Sequence, residues 1–231
     1  MDLNVLSAGA AKGLVESLQA RFTAQTGASI HATFRAVGTI KEKLLAGEPC
    51  DVVILTAAQL DELARSGRVM ADSVVPLGRV ETAIAVKTGE PGGDIADRDR
   101  LRRRLCAAGA IYLPDAERAT AGIHLVHVLH ALEIYTEVEP RLRSYPNGAI
   151  AMRELAQSEA ERPIGCAQVT EIRCTQGVAV LGTLPQEFAL ATVYSVAVNA
   201  KAHRPELARQ LAALLTGPAA AELRTSAGFA R

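Results

Sequence analysis

Apolar stretches of strand length alternate with amphipathic stretches of helix length in the first part of the chain. The stretch LNVLSA has the composition of a strand, and CDVVILTA contains the continuous apolar run VVIL expected of a strand buried on both faces. A third, SIHATFRA, alternates between apolar and polar residues. Helix patterns follow these three stretches and end at Gly27, Gly47 and Gly67. The alternation predicts an α/β protein with mixed, mainly parallel sheets.

The second predicted helix, VGTIKEKLLAGEP, carries the clearest apolar stripe. We expect Ile40, Leu44 and Leu45 to form its buried face.

The strand and helix pattern changes near residue 78. The stretch VVPLGRVETAIAVK contains one or two strands with little helix between them, and β–α alternation resumes further on. We therefore expect two lobes, one of residues 1–78 plus 191–231 and one of 79–190, with two crossover strands between them. A single larger sheet is the alternative.

Composition and charge exclude several classes of partner. The chain has 231 residues, 49% of them hydrophobic, with 25 basic and 25 acidic side chains and zero formal net charge. Aromatic residues make up only 3%. Without a field of one sign or stacking side chains, nucleic acid is not an expected partner. Any charge selectivity has to be local.

The cysteines and the first residues bear on compartment. The four cysteines are widely spaced without a C-x-x-C pair. This spacing predicts reduced thiols, with a Cys166–Cys174 bridge as the alternative. We expect no bound metal and no cofactor. The start, MDLNVLSAG, lacks a basic segment followed by an apolar core, and no run of about 20 apolar residues occurs, so we expect no membrane insertion. As written, this predicts a cytoplasmic protein. A trimmed mature periplasmic protein would look the same.

Small residues mark the first passage from strand to helix. Ser7, Ala8, Gly9 and Ala10 stand where LNVLSA gives way to a helix pattern. A helix N-terminus presents unpaired N–H groups, and small side chains leave them accessible. The stretch predicts an anion-binding site.

Four motifs in order resemble the molybdate-binding substrate-binding proteins of ABC transporters. They are VLSAGAAKGL, LLAGEPCDVVILTAAQLDELARSG, PDAERATAGIHLVHVLHAL and RPELARQLAALLTGPAAAELRTSAGF. The resemblance implies a type II periplasmic-binding-protein fold, with a small anionic ligand held in the cleft between two lobes by helix N-termini. It also implies an ABC transporter permease as a partner.

Two departures from the family pattern bear on the ligand. The family places hydroxyl-donating serines where this chain has Ala10 and Gly38. The loss of both donors disfavours molybdate, and the smaller residues leave room for an organic di- or tricarboxylate. Arg35, Arg79 and Arg118 are the candidates to pair with its charge, and the alternative is that most of them are solvated surface residues. The expected ligand-binding residues are Ser7, Ala8, Gly9, Ala10, Gly38, Thr39, Thr56, Arg79, Thr120, Gly122, Ile123, His124 and Gln168.

An enzyme on the same fold is the alternative function. Relatives of this family include aconitate isomerases, which shift a double bond in a tricarboxylate and need a base near neutral pKa. His124 and Glu171 are the candidate catalytic residues. The competing interpretations are a structural histidine and a carboxylate that favours a helix N-terminus. His124, His127 and His130 drift around one helix, which argues against a metal site.

Overall fold

A computed structural model describes residues 2–90 and 93–230. The first part of the chain forms β1 (Asp2–Ala8), α1 (Lys12–Thr26), β2 (Ser29–Arg35), α2 (Val37–Leu45), β3 (Val52–Thr56), α3 (Ala57–Arg65) and β4 (Val75–Lys87). The middle part forms α4 (Arg98–Cys106), β5 (Ile111–Pro114), α5 (Thr120–Ala131), α6 (Tyr135–Val138), β6 (Leu142–Tyr145), α7 (Gly148–Ala156), β7 (Ile164–Gln168), α8 (Val169–Arg173) and β8 (Val178–Thr183). The last part forms β9 (Ala191–Val198), α9 (Pro205–Thr216) and α10 (Ala221–Ala227).

The chain divides into two compact units. Unit 1 takes in the chain as far as Val80 and from Thr192 onward, and unit 2 is Glu81–Ala191. The chain passes from one unit to the other within β4 and again at the start of β9.

Unit 1 is built on a sheet in which β1 lies between β2 and β3, parallel to both. β9 runs antiparallel to β3 and closes the other side. α1 buries Leu14, Leu18 and Phe22. It packs against α9, so the C-terminal segment of the chain completes the core that the N-terminal segment begins. Burial of each such side chain contributes about 1.5–3 kcal/mol.

Unit 2 has a second mixed sheet in the order β8-β4-β7-β5-β6. β7, β5 and β6 run parallel to one another, and β4 is antiparallel to both β7 and β8. Its apolar core includes Leu101 of α4, Ile111 of β5, Leu125 of α5 and Cys166 of β7, all inaccessible to solvent. Unit 2 is thus a helix-covered sheet with its own core.

Two expectations about individual elements need correction or completion. Leu45 is wrong as a core residue: it is 46% exposed, whereas Ile40 and Leu44 are buried. Ile40 and Leu44 are four residues apart and share a face, and Leu45 is turned a further 100° away. The sequence left open whether one or two strands follow residue 74, and the structure has one continuous strand there, β4.

The cysteines and the helices settle two further points. All four cysteines are free, so the alternative Cys166–Cys174 bridge does not form. Over 2–90 and 93–230, no helix has the length and apolar character needed to cross a membrane.

Candidate functional site

Among the described α-helices, α1, α2 and α5 begin with neither a side-chain cap nor an acidic residue in the first turn. The N-cap residues of α1, α2 and α5 are Ala11, Ala36 and Ala119, whose methyl groups accept no hydrogen bond. None of the three helices has an acidic residue in its first turn. α1 continues from the 3₁₀ turn Gly9–Ala11, which starts after the uncapped Ala8, and the Lys12 amide donates to the Gly9 carbonyl oxygen. The first N–H groups of α2 and α5 keep the partial positive charge of a helix N-terminus, which favours a bound anion.

Other helices of similar length use side chains at this position. Thr56 accepts a hydrogen bond from the Gln59 amide at the start of α3, and Asp97 does the same for Arg100 in α4. Asn147 caps α7 through the Ile150 amide. α9 also lacks a side-chain cap, but it starts with Pro205, which has no N–H, and carries an acidic residue in its first turn. The open starts coincide with three segments that the sequence predicts as ligand-binding.

In unit 1 the structure brings two predicted segments together. Ala8 and Arg35 are register partners at the carboxyl ends of the parallel strands β1 and β2, after which α1 and α2 follow along the chain. Gly9 and Ala10 lie in the buried 3₁₀ turn before α1. Gly38 and Thr39 are partly exposed residues in the first turn of α2.

Ser7 and Thr56 already have partners within unit 1. The Ser7 hydroxyl is fully buried and donates to the Ala8 carbonyl oxygen at 2.9 Å. Thr56, at the end of β3, is occupied as the α3 cap and donates to Gln59 Oε1 at 3.1 Å. Their predicted roles in binding stay predictions, and both residues have a structural task.

The three candidate arginines lie at exposed positions. Arg79 pairs through its backbone with Ala230, each amide donating to the other's carbonyl oxygen at 2.8 Å. Arg35 donates from its guanidinium to the Phe34 carbonyl oxygen at 2.8 Å. Arg118 lies 4.0 Å from an Asp115 carboxylate oxygen. An exposed ion pair such as Arg118–Asp115 contributes little to the free energy of unfolding.

In unit 2 the start of α5 carries Thr120, Gly122, Ile123 and His124. A Cβ atom on Gly122 would clash with the carbonyl oxygens of Pro114, at the end of β5, and of Asp115, so close packing requires glycine there. His124 Nε2 lies 2.7 Å from the Phe188 carbonyl oxygen. A carbonyl only accepts, so Nε2 carries the proton and, in the neutral ring, Nδ1 is the acceptor.

The other two histidines of α5 are not part of this arrangement. His127 is exposed, and the His130 ring stacks on Tyr135 with centroids 4.2 Å apart. In the part of the chain that the structure describes, no three His, Cys, Asp or Glu residues are grouped as metal ligands.

Glu171 lies at the meeting point of two helix N-termini. Its buried carboxylate accepts the Gly148 amide at 3.0 Å, from α7, and the Gln168 amide at 3.4 Å, from its own helix start. Burial raises the pKa of Glu171 to about 7, against the lowering effect of these amides and that of Ala149. A carboxyl group that titrates near neutral pH is therefore present in unit 2.

The sequence did not reveal the partner of Glu171. Asn147-Gly148 is recognisable as a helix start from its residue types. Its contact with Glu171 depends on the packing of α7 against α8.

Comparison with known proteins identifies the family. Residues 3–230 match the family model described as bacterial extracellular solute-binding protein. This chain belongs to that family. It is 29% identical over 236 residues to an aconitate isomerase of a Pseudomonas species, covering 98% of this chain and 87% of the relative. It is 23% identical over 231 residues to a molybdate-binding protein of Escherichia coli K12, covering 98% and 88%.

A solved structure agrees on the fold of this solute-binding protein. The periplasmic molybdate-binding protein of Azotobacter vinelandii superposes with a TM-score of 0.80 at 18% identity, covering 99% of both chains. The fold is that of a type II periplasmic binding protein, as the sequence predicts.

Within unit 1 of this solute-binding protein, a cavity of about 500 Å³ lies away from the open helix starts. It is lined by the C-terminal ends of α2 and α3 and by Cys50, Asn199 and Lys201. These residues lie at the amino end of β3 and beyond the carboxyl end of the antiparallel β9, whereas ligands of α/β sheets bind at the carboxyl ends of parallel strands. The open starts of α1 and α2 are therefore the better candidate site in this unit.

Proposed function

We propose that this solute-binding protein captures a small organic anion of the di- or tricarboxylate type, rather than molybdate. The observation that carries the proposal is that each unit has helix starts without a side-chain cap or a first-turn acidic residue: α1 and α2 in unit 1, and α5 in unit 2. Backbone N–H groups at such ends favour negative charge even in a protein of zero net charge.

The missing hydroxyl groups argue against a tetrahedral oxyanion. Ala10 and Gly38 supply no donor, and the Ser7 hydroxyl already donates to a backbone carbonyl. Each hydrogen bond missing from a buried oxyanion oxygen costs about 1–3 kcal/mol. A carboxylate needs fewer donors per group and uses the space that the small residues leave.

The partner and compartment follow from this function. A binding protein of an ABC transporter hands its ligand to a membrane permease, and we infer such a permease as the partner. The family description, extracellular solute-binding protein, favours a location outside the cytoplasm.

Calorimetric titration tests the proposal. We expect binding of at least one of malate, citrate, cis-aconitate and trans-aconitate, and no comparable binding of molybdate or sulfate. Gly38→Leu fills the space beside the first turn of α2 and should abolish binding. Ala46→Leu, just beyond the exposed C-terminal end of the same helix, should not. Normal binding by Gly38→Leu would contradict the site assignment.

A second candidate, isomerisation of an unsaturated polycarboxylate, is favoured by the similarity to an aconitate isomerase. Moving the double bond requires removal of a proton from one carbon and return of a proton to another, with no net gain or loss. His124 Nδ1 is the candidate base, since Nε2 is held by the Phe188 carbonyl. Glu171 titrates near neutral pH but is engaged by backbone amides, so it is the weaker candidate.

Incubation with cis-aconitate separates the two candidates. An isomerase converts it to trans-aconitate, whereas a binding protein leaves it unchanged. His124→Asn should abolish any conversion. His127→Asn, at an exposed position about one turn further along α5, should leave the conversion rate unchanged. Conversion that survives His124→Asn would exclude His124 as the base.

A further inference from the structure

One backbone carbonyl of unit 2 fixes the chemistry of the histidine in the first turns of α5. His124 is partly buried, and its Nε2 lies 2.7 Å from the Phe188 carbonyl oxygen. A carbonyl oxygen only accepts, so Nε2 donates whether the ring is neutral or protonated. Nδ1 is then the ring atom available to a ligand, as an acceptor in the neutral ring and as a donor in the protonated ring. The position of the Phe188 carbonyl therefore decides which nitrogen serves the ligand.

Phe188 closes the short 3₁₀ turn Gln186–Phe188. Its amide donates to the Pro185 carbonyl oxygen at 2.8 Å, and its side chain is buried in the core of unit 2. A cavity of about 540 Å³ is lined by residues 96–99, where α4 begins, and by residues 185–187. The turn is therefore not closely packed against α4, and its position on this side depends on side-chain contacts.

Arg98, the first residue of α4, supplies such contacts. One guanidinium nitrogen lies 3.2 Å from a Glu187 carboxylate oxygen. The guanidinium lies over the Phe188 ring, with Cζ 5.5 Å from the ring centroid, which is the geometry of a cation–π contact. A second nitrogen donates to the Ala131 carbonyl oxygen at the end of α5. One side chain thus joins the turn to α4 and to the helix that carries His124.

Arg100 of the same helix makes only short-range contacts by comparison. Its side chain is 45% exposed, as is that of Arg98, but its ion pairs are with Asp94 and Asp97. Asp94 is six residues away along the chain, whereas Glu187 is 89 residues from Arg98. A single exposed ion pair contributes little, but Arg98 combines an ion pair, a ring contact and a backbone contact.

We propose that Arg98 is a positioning residue, which holds the 186–188 turn so that the Phe188 carbonyl oxygen keeps His124 Nδ1 available to the ligand. This rests on the proposed function, capture of an organic anion, and on the role of His124 in it. In a binding protein, the protonated ring donates from Nδ1 to a ligand carboxylate. In an isomerase, the neutral Nδ1 takes a proton from one carbon and returns a proton to another, so the ring ends as it began. Neither role requires Arg98 to contact the ligand.

Nitrogen-15 NMR of the histidine rings in the ligand-free protein tests the positioning. At about pH 8.5, where an ordinary histidine ring is neutral, the wild-type His124 should carry its proton almost entirely on Nε2. Arg98→Ala should raise the fraction protonated on Nδ1 by about threefold or more, because the hydrogen bond to Phe188 weakens. Arg98→Lys keeps the charge but loses the planar stacking, so it should give an intermediate fraction.

Arg100→Ala is the matched control, since it removes an equally exposed arginine of α4 that has no printed contact with the turn in this structure. It should leave the His124 tautomer unchanged. His127, which is exposed on the same helix, is the internal reference and should be the same in all variants.

Calorimetry and the cis-aconitate assay measure the consequence for the ligand. Malate, citrate, cis-aconitate and trans-aconitate are the probes. Arg98→Ala should weaken binding of those that bind the wild type by about tenfold, or lower any conversion of cis-aconitate by that factor, because a misplaced contact group loses its effect. Arg100→Ala should do neither.

The outcomes separate this inference from the function on which it rests. If none of the four carboxylates binds the wild type, the proposed function fails, and the NMR comparison still decides whether Arg98 positions His124. An unchanged tautomer in Arg98→Ala would overturn the inference, as would an equal change in Arg100→Ala. A changed tautomer with unchanged binding and conversion would overturn it too, because the position of the ring then has no consequence for the ligand.

Discussion

At the scale of single residues, Glu171 and Gly148 act as a pair. A Cβ atom on residue 148 would lie 2.1 Å from Glu171 Oε2, so glycine is needed for the carboxylate to reach the amides of α7. The carboxylate occupies the N–H group that an external anion would otherwise use. The start of α7 is therefore satisfied from within the protein, in contrast to the start of α5.

The pH dependence of stability should report the ionisation of Glu171. Its pKa rises from 4.5 to about 7 on folding, so the folded state binds the proton more tightly than the unfolded state between these values. The free energy of unfolding should therefore fall as pH rises from about 4.5 to about 7, by about 3 kcal/mol from this group. Glu171→Gln, which does not titrate, should lack that part of the decrease in urea unfolding at pH 5 and pH 7.5. The neighbouring Cys166 thiol, its pKa raised to about 12 mainly by burial, titrates outside this range. Equal pH dependence in wild type and variant would contradict the prediction.

Gly148→Ala should destabilise the protein by about 1–3 kcal/mol, because the added methyl group displaces the buried Glu171 carboxylate. Urea unfolding measures the change. In a Glu171→Ala background the same substitution should cost less, since the clashing group is gone. Gly93→Ala is the control, where the nearest atoms to a Cβ are at 3.8 Å.

At the scale of elements, the starts of two sets of helices contrast. α3, α4 and α7 are closed by Thr56, Asp97 and Asn147, whereas α1, α2 and α5 begin at alanines. A side-chain cap is worth about 1 kcal/mol, so each open start forgoes that much stability. The open group is where we place anion binding.

Ala36→Asp should close the start of α2. The new carboxylate can accept from the first-turn amides and should stabilise the free protein by about 0.5–1 kcal/mol. It should also weaken binding of the organic anion, because the same amides are taken and the charge repels. Urea unfolding and calorimetry measure the two effects. Asp97→Ala at α4 is the reverse control, less stable with unchanged binding. If Ala36→Asp bound as tightly as wild type, the start of α2 would not hold the anion.

At the scale of the whole molecule, a neutral chain has the fold of anion-binding proteins. Formal net charge is zero, and the two units each have a sheet and a core. The anion selectivity that we propose then depends on oriented backbone dipoles, not on overall charge. The ligand is set by which donors surround those dipoles.

Molybdate and tungstate should therefore leave thermal stability unchanged. A carboxylate ligand at a hundred times its Kd should stabilise the folded protein by about 2.7 kcal/mol, or about 5–10 °C in Tm. Molybdate at the same concentration should shift Tm by less than about 1 °C. A shift equal to that of the carboxylate would show that backbone groups alone suffice for the tetrahedral anion.

The sequence by itself determined the elements, the fold class and the family. Strand and helix formation depends on local periodicity, and the α/β pattern predicted from it is confirmed, as is the type II fold that the family resemblance implies. Which face of a helix a residue occupies is less certain from sequence. The pattern predicts Leu45 in the core beside Leu44, but the rotation of about 100° per residue places Leu45 on the surface.

Only the tertiary structure decided which polar residues already form hydrogen bonds within the protein. Ser7 and Thr56 are small polar residues at strand ends like other candidates, but each is bonded within its own unit. Glu171 meets Gly148, and Thr82 lies opposite Gln168, through contacts between segments distant along the chain. Local pattern carries no information on such pairings, because hydrogen bonding and burial of a polar group depend on what the folded chain places beside it.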